Sequence, residues 1–371
     1  MGPLTRPEMS DGLRRGLLDA EHRVLGARMD PFGGWEMPLR YGGVLEEHRA
    51  CREAAAVFDV SHLGSVWVRG AGSFAALQSL LTNDLARIGP GRAQYTHLLD
   101  DGDAHVIDDM IVWWVAETEF LVIPNASNTG PALAALEQAA DAAPGGAEVE
   151  DVTARRALIA VQGPSARQRL AEVAPDTTRV ARFGVIRAAV PGGEALVGGT
   201  GYTGEDGVEL FLPPEAARPL WRALLAAGVT PAGLGARDTL RLEMGYPLHG
   251  HELGPGITPL QAGLGWVVGW DKPAFAGRDA LLAERARGPA RRLAGIALEG
   301  RRIPRQGCPV LLNGRQAGEV TSGNLSPTLG RGIALAFLPS GTALGTNVEV
   351  EIRHRRAGGI VTRPPFVKPQ H

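Results

Sequence analysis

Two adjacent aspartates, Asp108 and Asp109, lie inside an apolar run that reads HVIDDMIVWW over residues 105–114. A carboxylate in an apolar interior is costly unless it has polar partners. Because neighbouring side chains of a strand alternate between its faces, we expect one carboxylate to reach solvent or cap the preceding turn and the other to enter the interior. Two turn carboxylates at a strand start are the alternative. The apolar residues on both sides favour a buried carboxylate that has a functional role.

A third carboxylate, Glu209, follows the glycine-rich residues of TGYTGEDGVEL (200–210). This stretch lacks the Gly-Lys-Ser/Thr sequence of a P-loop, and it does not open a helix as a dinucleotide-binding fingerprint does. A tight hairpin turn is therefore the simpler interpretation of the glycines. Glu209 nevertheless interrupts the apolar strand after the turn, as Asp109 interrupts its own strand.

Arg237 lies in GLGARDTLRLEMG (233–245), which predicts a glycine turn and a helix that opens around Ala236 and ends at Gly245. A cation in the first turn of a helix opposes the helix dipole. Arg237 is thus either a surface arginine paired with a carboxylate or a residue with a function.

Two further motifs favour structural interpretations. His249 and His251 form a His-x-His pair, but no other cluster has metal-ligand spacing, so we predict loop histidines and no metal. Ser61 and His62 are neighbours in sequence, a spacing that rarely forms a catalytic pair, and no Gly-x-Ser-x-Gly elbow occurs.

The amino-acid composition argues against a nucleic-acid-binding protein and limits how a positive docking surface can be built. The 371 residues carry a net charge of −2 and include 50 glycines, which indicate many tight turns. Only Lys272 and Lys368 are lysines among 38 basic residues, so a positive docking surface must consist of arginine. No basic run indicates nucleic-acid binding.

The cysteines and the N-terminal residues indicate the cellular compartment of the protein. Cys51 and Cys308 are far apart in sequence, which argues against a disulfide framework. Charged residues near the N-terminus argue against a signal peptide, and no apolar run reaches the roughly 18 residues that could span a membrane. We expect a cytoplasmic protein.

The elements that must position these side chains include two similar units. Residues 64–82 predict a strand, a glycine and a helix, and residues 157–173 repeat that order around Gly163. The repetition suggests two related lobes. The other predicted elements are strands at 93–99, 105–115, 119–124 and 208–213, helices at 44–57, 129–143 and 214–227, and a surface linker at 141–151.

From about residue 290 the pattern becomes all-β. CPVLLNGRQAGEV (308–320) is two alternating runs joined by Asn313-Gly314, a strong hairpin signal, and NVEVEIRHR (347–355) alternates strictly. We predict a core domain over residues 1–289 and a small barrel or sandwich over 290–371.

Together these stretches resemble one family, the aminomethyltransferases of the glycine cleavage system, or T-proteins. The resemblance runs from residue 31 to residue 367. It is carried by PFGGWEMPLRY (31–41), FDVSHLG (58–64), LTNDL (81–85), VIDDMIV (106–112), TGYTGEDG (200–207), GLGARDTLRLE (233–243), SPTLGRGIALA (326–336) and RPPFV (363–367).

The resemblance implies an α+β fold with a folate-binding core of two intertwined lobes, followed by a C-terminal barrel-like β-domain. It also implies a reaction. An aminomethyl group carried on the lipoyl arm of H-protein gives its carbon to tetrahydrofolate, with release of 5,10-methylenetetrahydrofolate and ammonia. Neither a metal nor a nucleotide is implied.

The resemblance further assigns roles to residues. Asp109 matches the essential carboxylate, which would stabilise the positive charge that develops as ammonia leaves. Arg237 matches a residue near that site that could keep Asp109 ionised. Glu209 matches the carboxylate that grips the pterin ring. Other matches line the folate pocket: Leu63, Tyr95, Asn125, Tyr202 and Trp266.

Two other functions are compatible with the same scaffold. One is a folate-dependent demethylase of a small methylated substrate, which would hold folate in the same way. The other is a non-catalytic folate-binding protein. The intact GLGARD and TGYTGEDG stretches favour the T-protein over the first, and Asp109 favours an enzyme over the second.

Overall fold

A computed structural model describes residues 12–368 and shows helices packed around two open sheets, with a closed barrel at the C-terminal end. The α-helices of this part of the chain are α1 Asp19–Val24, α2 Val44–Glu53, α3 Ser73–Leu80, α4 Thr129–Ala142, α5 Ala166–Val173, α6 Pro214–Ala226, α7 Leu234–Met244 and α8 Arg278–Arg287. None of them is long and apolar enough to cross a membrane.

The strands fall into a hairpin, two sheets and the barrel. They are β1 Arg28–Phe32, β2 Trp35–Arg40, β3 Ala56–Asp59, β4 Val66–Arg69, β5 Arg92–Leu99, β6 Val106–Ala116, β7 Glu119–Ile123, β8 Glu148–Asp151, β9 Ala157–Gln162, β10 Val185–Val190, β11 Gly193–Gly198, β12 Gly207–Leu212, β13 Thr230–Ala232, β14 Arg291–Leu298, β15 Pro309–Leu312, β16 Arg315–Ser326, β17 Arg331–Pro339, β18 Asn347–Ile352 and β19 Arg355–Thr362.

The two open sheets form the core, and the chain passes back and forth between them. One sheet has the order β5-β6-β7-β4-β8 and the other the order β10-β11-β12-β9-β3-β13. Strand β3 lies in the second sheet although its neighbours in sequence, β4 to β8, build the first. The α+β class and the intertwined lobes are therefore confirmed.

The sheets face each other across a shared apolar layer. Trp113 of β6 contributes to this layer with Phe58 of β3 and Leu196 of β11, and all three are buried. A Cβ atom at Gly198 would lie 2.3 Å from the Trp113 ring, so a larger residue there would push the sheets apart. This close packing fixes β6, which carries the aspartates, against the sheet that carries Glu209.

The predicted strand–glycine–helix units are confirmed, one in each sheet. Strand β4 leads through Gly70 to α3, and β9 leads through Gly163 to α5. The barrel is also confirmed, with the strand order β14-β17-β16-β15-β18-β19, and its Asn313-Gly314 turn joins β15 to β16 as predicted.

Three local predictions were wrong. The helix predicted over 44–57 ends at Glu53, and the apolar residues after it form β3. The predicted linker at 141–151 contains β8, which pairs with β4 at a sheet edge. The run 347–355 is two strands joined at Arg353-His354, whose left-handed φ angles of 50° and 61° allow a tight turn without glycine.

A buried ionic cluster joins the core to the barrel. Glu243 of α7 accepts a hydrogen bond from Arg52 Nε at 3.1 Å. It accepts another at 3.0 Å from Oγ1 of Thr328, which lies in the connection between β16 and β17. His48 Nε2 lies 3.3 Å from the same carboxylate. Burial acts to raise the pKa of Glu243, but the contacts with His48, Ser326 and Arg52 outweigh it and lower the pKa to about 2.

We predict that Glu243→Gln lowers the free energy of unfolding by about 3 kcal/mol at pH 7, because it leaves a buried arginine with one charged partner fewer. A carboxyl with a depressed folded-state pKa stabilises the protein above its unfolded pKa, and that stability is lost as the pH falls toward about 2. Urea unfolding of both proteins should therefore converge between about pH 5 and pH 2. Glu319→Gln, at an exposed barrel position, is the control and should change little. A pH-independent difference would contradict the ionic explanation.

Candidate active site

Asp109 lies on β6 directly opposite His97 of β5 and is only partly buried. Its Oδ2 accepts a hydrogen bond from the Tyr95 hydroxyl at 2.9 Å, and its Oδ1 accepts one from Asn125 Nδ2 at 2.8 Å. The structure thus brings together three of the residues predicted from sequence. The carboxylate has a fixed orientation and still presents an open side.

Asp108 lies on the other face of β6, as strand alternation predicts, but it reaches neither solvent nor a turn. It is fully buried and accepts hydrogen bonds from Asn125 N at 3.0 Å, Asn125 Nδ2 at 2.8 Å and Asn128 Nδ2 at 2.7 Å. The sequence left open which aspartate enters the interior, and in the structure it is Asp108, while Asp109 is partly exposed. Two asparagines provide the donors that a buried carboxylate requires.

Asn125 connects the two carboxylates because its amide nitrogen donates to both. Burial and the neighbouring charge of Asp109 raise the pKa of Asp108. Burial also raises the pKa of Asp109, while the Tyr95 hydrogen bond and the charge of His249 act in the opposite direction. The pair therefore resists carrying two negative charges, and a cation close to Asp109 would relieve that repulsion.

His249 was interpreted from sequence as a loop residue, and its place next to the aspartate strand was missed. Its Nε2 lies 3.3 Å from the carbonyl oxygen of Val106, at the start of β6. Burial raises the pKa of Asp109, and an electrostatic contribution from His249 acts to lower it, an effect that the resemblance had implied for Arg237. No sequence spacing connects residues 109 and 249, so only the fold reveals it.

Arg237 and Glu209 are near each other, and Tyr202 lies within electrostatic range of both Arg237 and Asp109. Arg237 places its guanidinium carbon 4.9 Å from the centre of the Tyr202 ring and lies within electrostatic range of Glu209. Its Nη1 is buried and has no hydrogen-bond partner in the described part of the chain. Buried donors are nearly always paired, so this atom points to a missing acceptor.

Glu209 is 7% exposed, on β12 between β9 and β11. Thr200 donates its hydroxyl to Glu209 Oε2 at 2.6 Å. No hydrogen bond to Oε1 occurs within residues 12–368. One carboxylate oxygen is therefore fixed by the protein and the other is available to an incoming donor.

Aromatic rings supply flat surfaces close to these polar groups. Tyr202 stacks on Tyr246 with ring centres 5.7 Å apart, and its hydroxyl donates to the carbonyl of Pro247. Trp266 is 63% exposed and packs against Tyr95 with ring centres 5.9 Å apart. An exposed tryptophan held on a site tyrosine suits the mouth of a binding site.

Leu63 is half-buried and packs against the apolar layer between the sheets. Arg156 donates to its carbonyl oxygen, which fixes the backbone rather than the side chain. Leu63 therefore offers an apolar surface and no polar group.

The glycines of TGYTGEDG have a packing role. The prediction of a tight hairpin turn there was wrong, because the eight residues 199–206 connect β11 to β12. A Cβ atom at Gly207 would lie 2.1 Å from the carbonyl oxygen of Val161, and the φ angle of 155° disfavours other residues. This glycine lets β12 approach β9 closely enough to present Glu209.

One group of side chains has metal-ligand geometry within residues 12–368. Asp100, Asp103 and His105 have ligand atoms within 4.8 Å of one another, in the turn before β6. His105 Nδ1 is 2.6 Å from Asp103 Oδ1, and this direct contact accounts for the cluster without an ion. A surface cleft on the barrel, lined by residues such as Arg291 and Phe337, contains none of the predicted site residues.

Comparison with known proteins identifies the family. Residues 18–272 match the family described as GCVT N-terminal domain, and residues 291–368 match the Glycine cleavage T-protein C-terminal barrel domain. An aminomethyltransferase from Frankia alni is 49% identical over 362 residues, which is 96% of this chain and 98% of the relative. One from Mycobacterium tuberculosis H37Rv is 48% identical over 361 residues, which is 96% of this chain and 97% of the relative.

This chain belongs to the glycine cleavage T-protein family.

A solved structure supports the assignment. The glycine cleavage system aminomethyltransferase T from Bartonella henselae superposes with a TM-score of 0.90 at 34% identity and covers 97% of this chain and 99% of that one. As a member of the T-protein family the chain is an enzyme of the aminomethyltransferase class, so the non-catalytic alternative is wrong. The shortage of lysine indicates the coding bias of a GC-rich genome, and the actinobacterial origin of these relatives agrees with that interpretation.

Proposed function

We propose that this enzyme moves the carbon of an aminomethyl group from the lipoyl arm of H-protein to tetrahydrofolate. The carbon–sulfur and carbon–nitrogen bonds break, and the products are 5,10-methylenetetrahydrofolate, ammonia and the reduced, dithiol form of the lipoyl arm. The observation that carries the proposal is the Asp109 carboxylate, which Tyr95 and Asn125 hold while one side remains open. Membership in the T-protein family supports it. The division into a core over 1–289 and a barrel over 290–371 belongs to the proposal, supported by the start of β14 at Arg291.

The unpaired polar atoms fit tetrahydrofolate. Glu209 has a carboxylate oxygen available, and a pterin ring presents an amino group and a ring N–H side by side. The unpaired donor of Arg237 would meet an acceptor, and Tyr202 and Trp266 would cover the flat rings. Tetrahydrofolate supplies the amine nitrogens that receive the carbon.

Asp109 has the chemistry to stabilise a cation. As ammonia leaves an aminomethyl group, positive charge develops at the carbon, and a preoriented carboxylate stabilises it without reorganisation. Because burial and the neighbouring carboxylate make a second negative charge on the pair unfavourable, a cation beside Asp109 would favour its ionised form.

The decisive experiment is a single incubation of the enzyme with tetrahydrofolate and aminomethylated H-protein. Formation of methylenetetrahydrofolate together with ammonia is expected. Activity on free methylated amines without activity on H-protein would instead support the demethylase alternative.

We predict that Asp109→Asn lowers kcat by about 100- to 1000-fold with little change in folate affinity, because one preorganised charge is lost. Asp108→Asn is the matched control: it makes the same substitution on the opposite face, where Asn128 and Asn125 are the partners. The control should lose thermal stability more than kcat. Equal losses of kcat in two folded variants would contradict the assignment of Asp109.

We predict that Glu209→Gln weakens tetrahydrofolate binding by about 2–5 kcal/mol, because a buried charge-assisted pair loses one partner. Titration calorimetry measures the dissociation constant directly. Glu194→Gln, an exposed glutamate on the neighbouring β11, is the control. An unchanged dissociation constant in the Glu209 variant would remove its proposed role.

The docking of H-protein is proposed on the barrel. Residues 290–368 contain eleven arginines and one lysine against four glutamates and no aspartate, while the whole chain carries −2. All eleven arginines are exposed. Three of them belong to the arginine hairpin, which we define as Arg353, His354, Arg355 and Arg356. Arg302 donates a hydrogen bond to the carbonyl oxygen of Arg356 at 3.2 Å. H-proteins are typically acidic, so this surface has the complementary charge.

We predict that the KM for H-protein rises with salt while folate binding changes little, because the Debye length shrinks from about 10 Å at 0.1 M to about 3 Å at 1 M. Arg353→Glu with Arg355→Glu should raise that KM at low salt. Arg218→Glu, an exposed arginine of α6, is the charge-matched control. A KM that salt does not change would indicate an apolar docking face.

A further inference from the structure

His97 has an unusual environment for a residue next to the proposed catalytic carboxylate. It is fully buried, on β5, and directly opposite Asp109 in the antiparallel ladder. Residues paired in this way place their side chains on the same face of the sheet. Tyr95, two positions away on the same strand, shares that face.

A chain of hydrogen bonds connects these three side chains. The Tyr95 hydroxyl donates to Asp109 Oδ2 at 2.9 Å, and the same hydroxyl oxygen lies 3.2 Å from His97 Nε2. A tyrosine hydroxyl has one hydrogen, which is committed to the carboxylate. His97 Nε2 must therefore carry a hydrogen and donate it to the Tyr95 oxygen.

The second ring nitrogen agrees with this tautomer. In a neutral imidazole with a hydrogen on Nε2, Nδ1 has only a lone pair. Nδ1 of His97 is buried without any partner in the described part of the chain. Burial, followed by the charge of His249, lowers the pKa of His97 to about 3, so the ring is neutral at physiological pH.

The backbone of His97 is fixed as well. Its N–H donates to Thr82 Oγ1 at 3.0 Å, and its carbonyl accepts from Thr82 N at 3.0 Å. The Tyr95 ring is confined from another direction by Trp266. A buried histidine with an unpaired ring nitrogen lowers the stability of the folded protein. The hydrogen bond of its other nitrogen with Tyr95 explains why a histidine occupies this position.

We propose that His97 is a positioning residue for the aminomethyl transfer: it donates from Nε2 to the Tyr95 hydroxyl oxygen and thereby directs the Tyr95 hydrogen onto Asp109. Its ring does not move a proton in this role. The proposal rests on the catalytic role of Asp109 proposed above. It adds a residue of this chain that acts through Tyr95 and does not touch the substrate.

The tautomer is tested first, on the unmodified protein and without activity. Nitrogen-15 NMR of labelled histidine distinguishes a protonated from a bare ring nitrogen, with the His97 signal assigned by its loss in His97→Gln. A hydrogen on Nε2 at pH 7 is expected. A hydrogen on Nδ1, or a doubly protonated ring, overturns the proposal whether or not the proposed function holds.

Variants then test the consequence for turnover. His97→Leu removes the donor and should lower kcat about tenfold with an unchanged KM for tetrahydrofolate, because Tyr95 loses its orientation. His97→Gln places an amide N–H near the position of Nε2 and should recover most of that loss. Recovery in the glutamine variant is not expected if His97 merely fills space.

A double-mutant cycle with Tyr95→Phe makes the test specific. If His97 acts through the Tyr95 hydroxyl, His97→Leu lowers kcat in the unmodified background and has no further effect once that hydroxyl is absent. Additive losses would overturn the proposal. Full activity of Asp109→Asn would instead overturn the proposed function and leave the NMR result for His97 unaffected.

Discussion

The amide of Asn125 is the interaction on which the site depends. It follows β7 and donates to both the buried Asp108 and the partly buried Asp109, so that two adjacent carboxylates share one donor. Without it, the two carboxylates would have fewer compensating hydrogen bonds, and the loss would be costly for the fully buried Asp108. The negative charge of this pair is unfavourable, and Asp109 carries it next to an open side of the strand. The folded protein loses some stability at this point, and a cation bound beside Asp109 would restore it.

The candidate site residues come from both open sheets. Asp109, Tyr95 and Asn125 belong to the five-stranded sheet and its connection, whereas Glu209 and Thr200 belong to the six-stranded sheet and its turn. The packing of Trp113 against Gly198 fixes the separation of the sheets. The carboxylates of Asp109 and Glu209, one on each sheet, therefore keep a constant spatial relation.

The sequence identified the residues that break a local pattern, since a charge inside an apolar strand is visible without coordinates. Asp109, Glu209 and Arg237 were found in this way, and the resemblance gave them roles. Partners distant in sequence were not visible: His249 lies 140 positions after Asp109, and its effect on that carboxylate arises from the fold. The turn at Arg353-His354 was missed because strict alternation continues through a turn that lacks Asn-Gly.

The placement of β3 has a consequence for the order in which the protein is built. Strands β4 to β8 are complete once the ribosome has made residue 151, and they contain Tyr95 and Asp109. Strand β3, although made earlier, pairs with β9 and with β13, so it waits until residues 157–162 and then 230–232 emerge. Its apolar residues lack their sheet partners during that interval, which exposes an unpaired strand to chaperones or to neighbouring nascent chains. Slow translation between residues 60 and 157 would lengthen that interval.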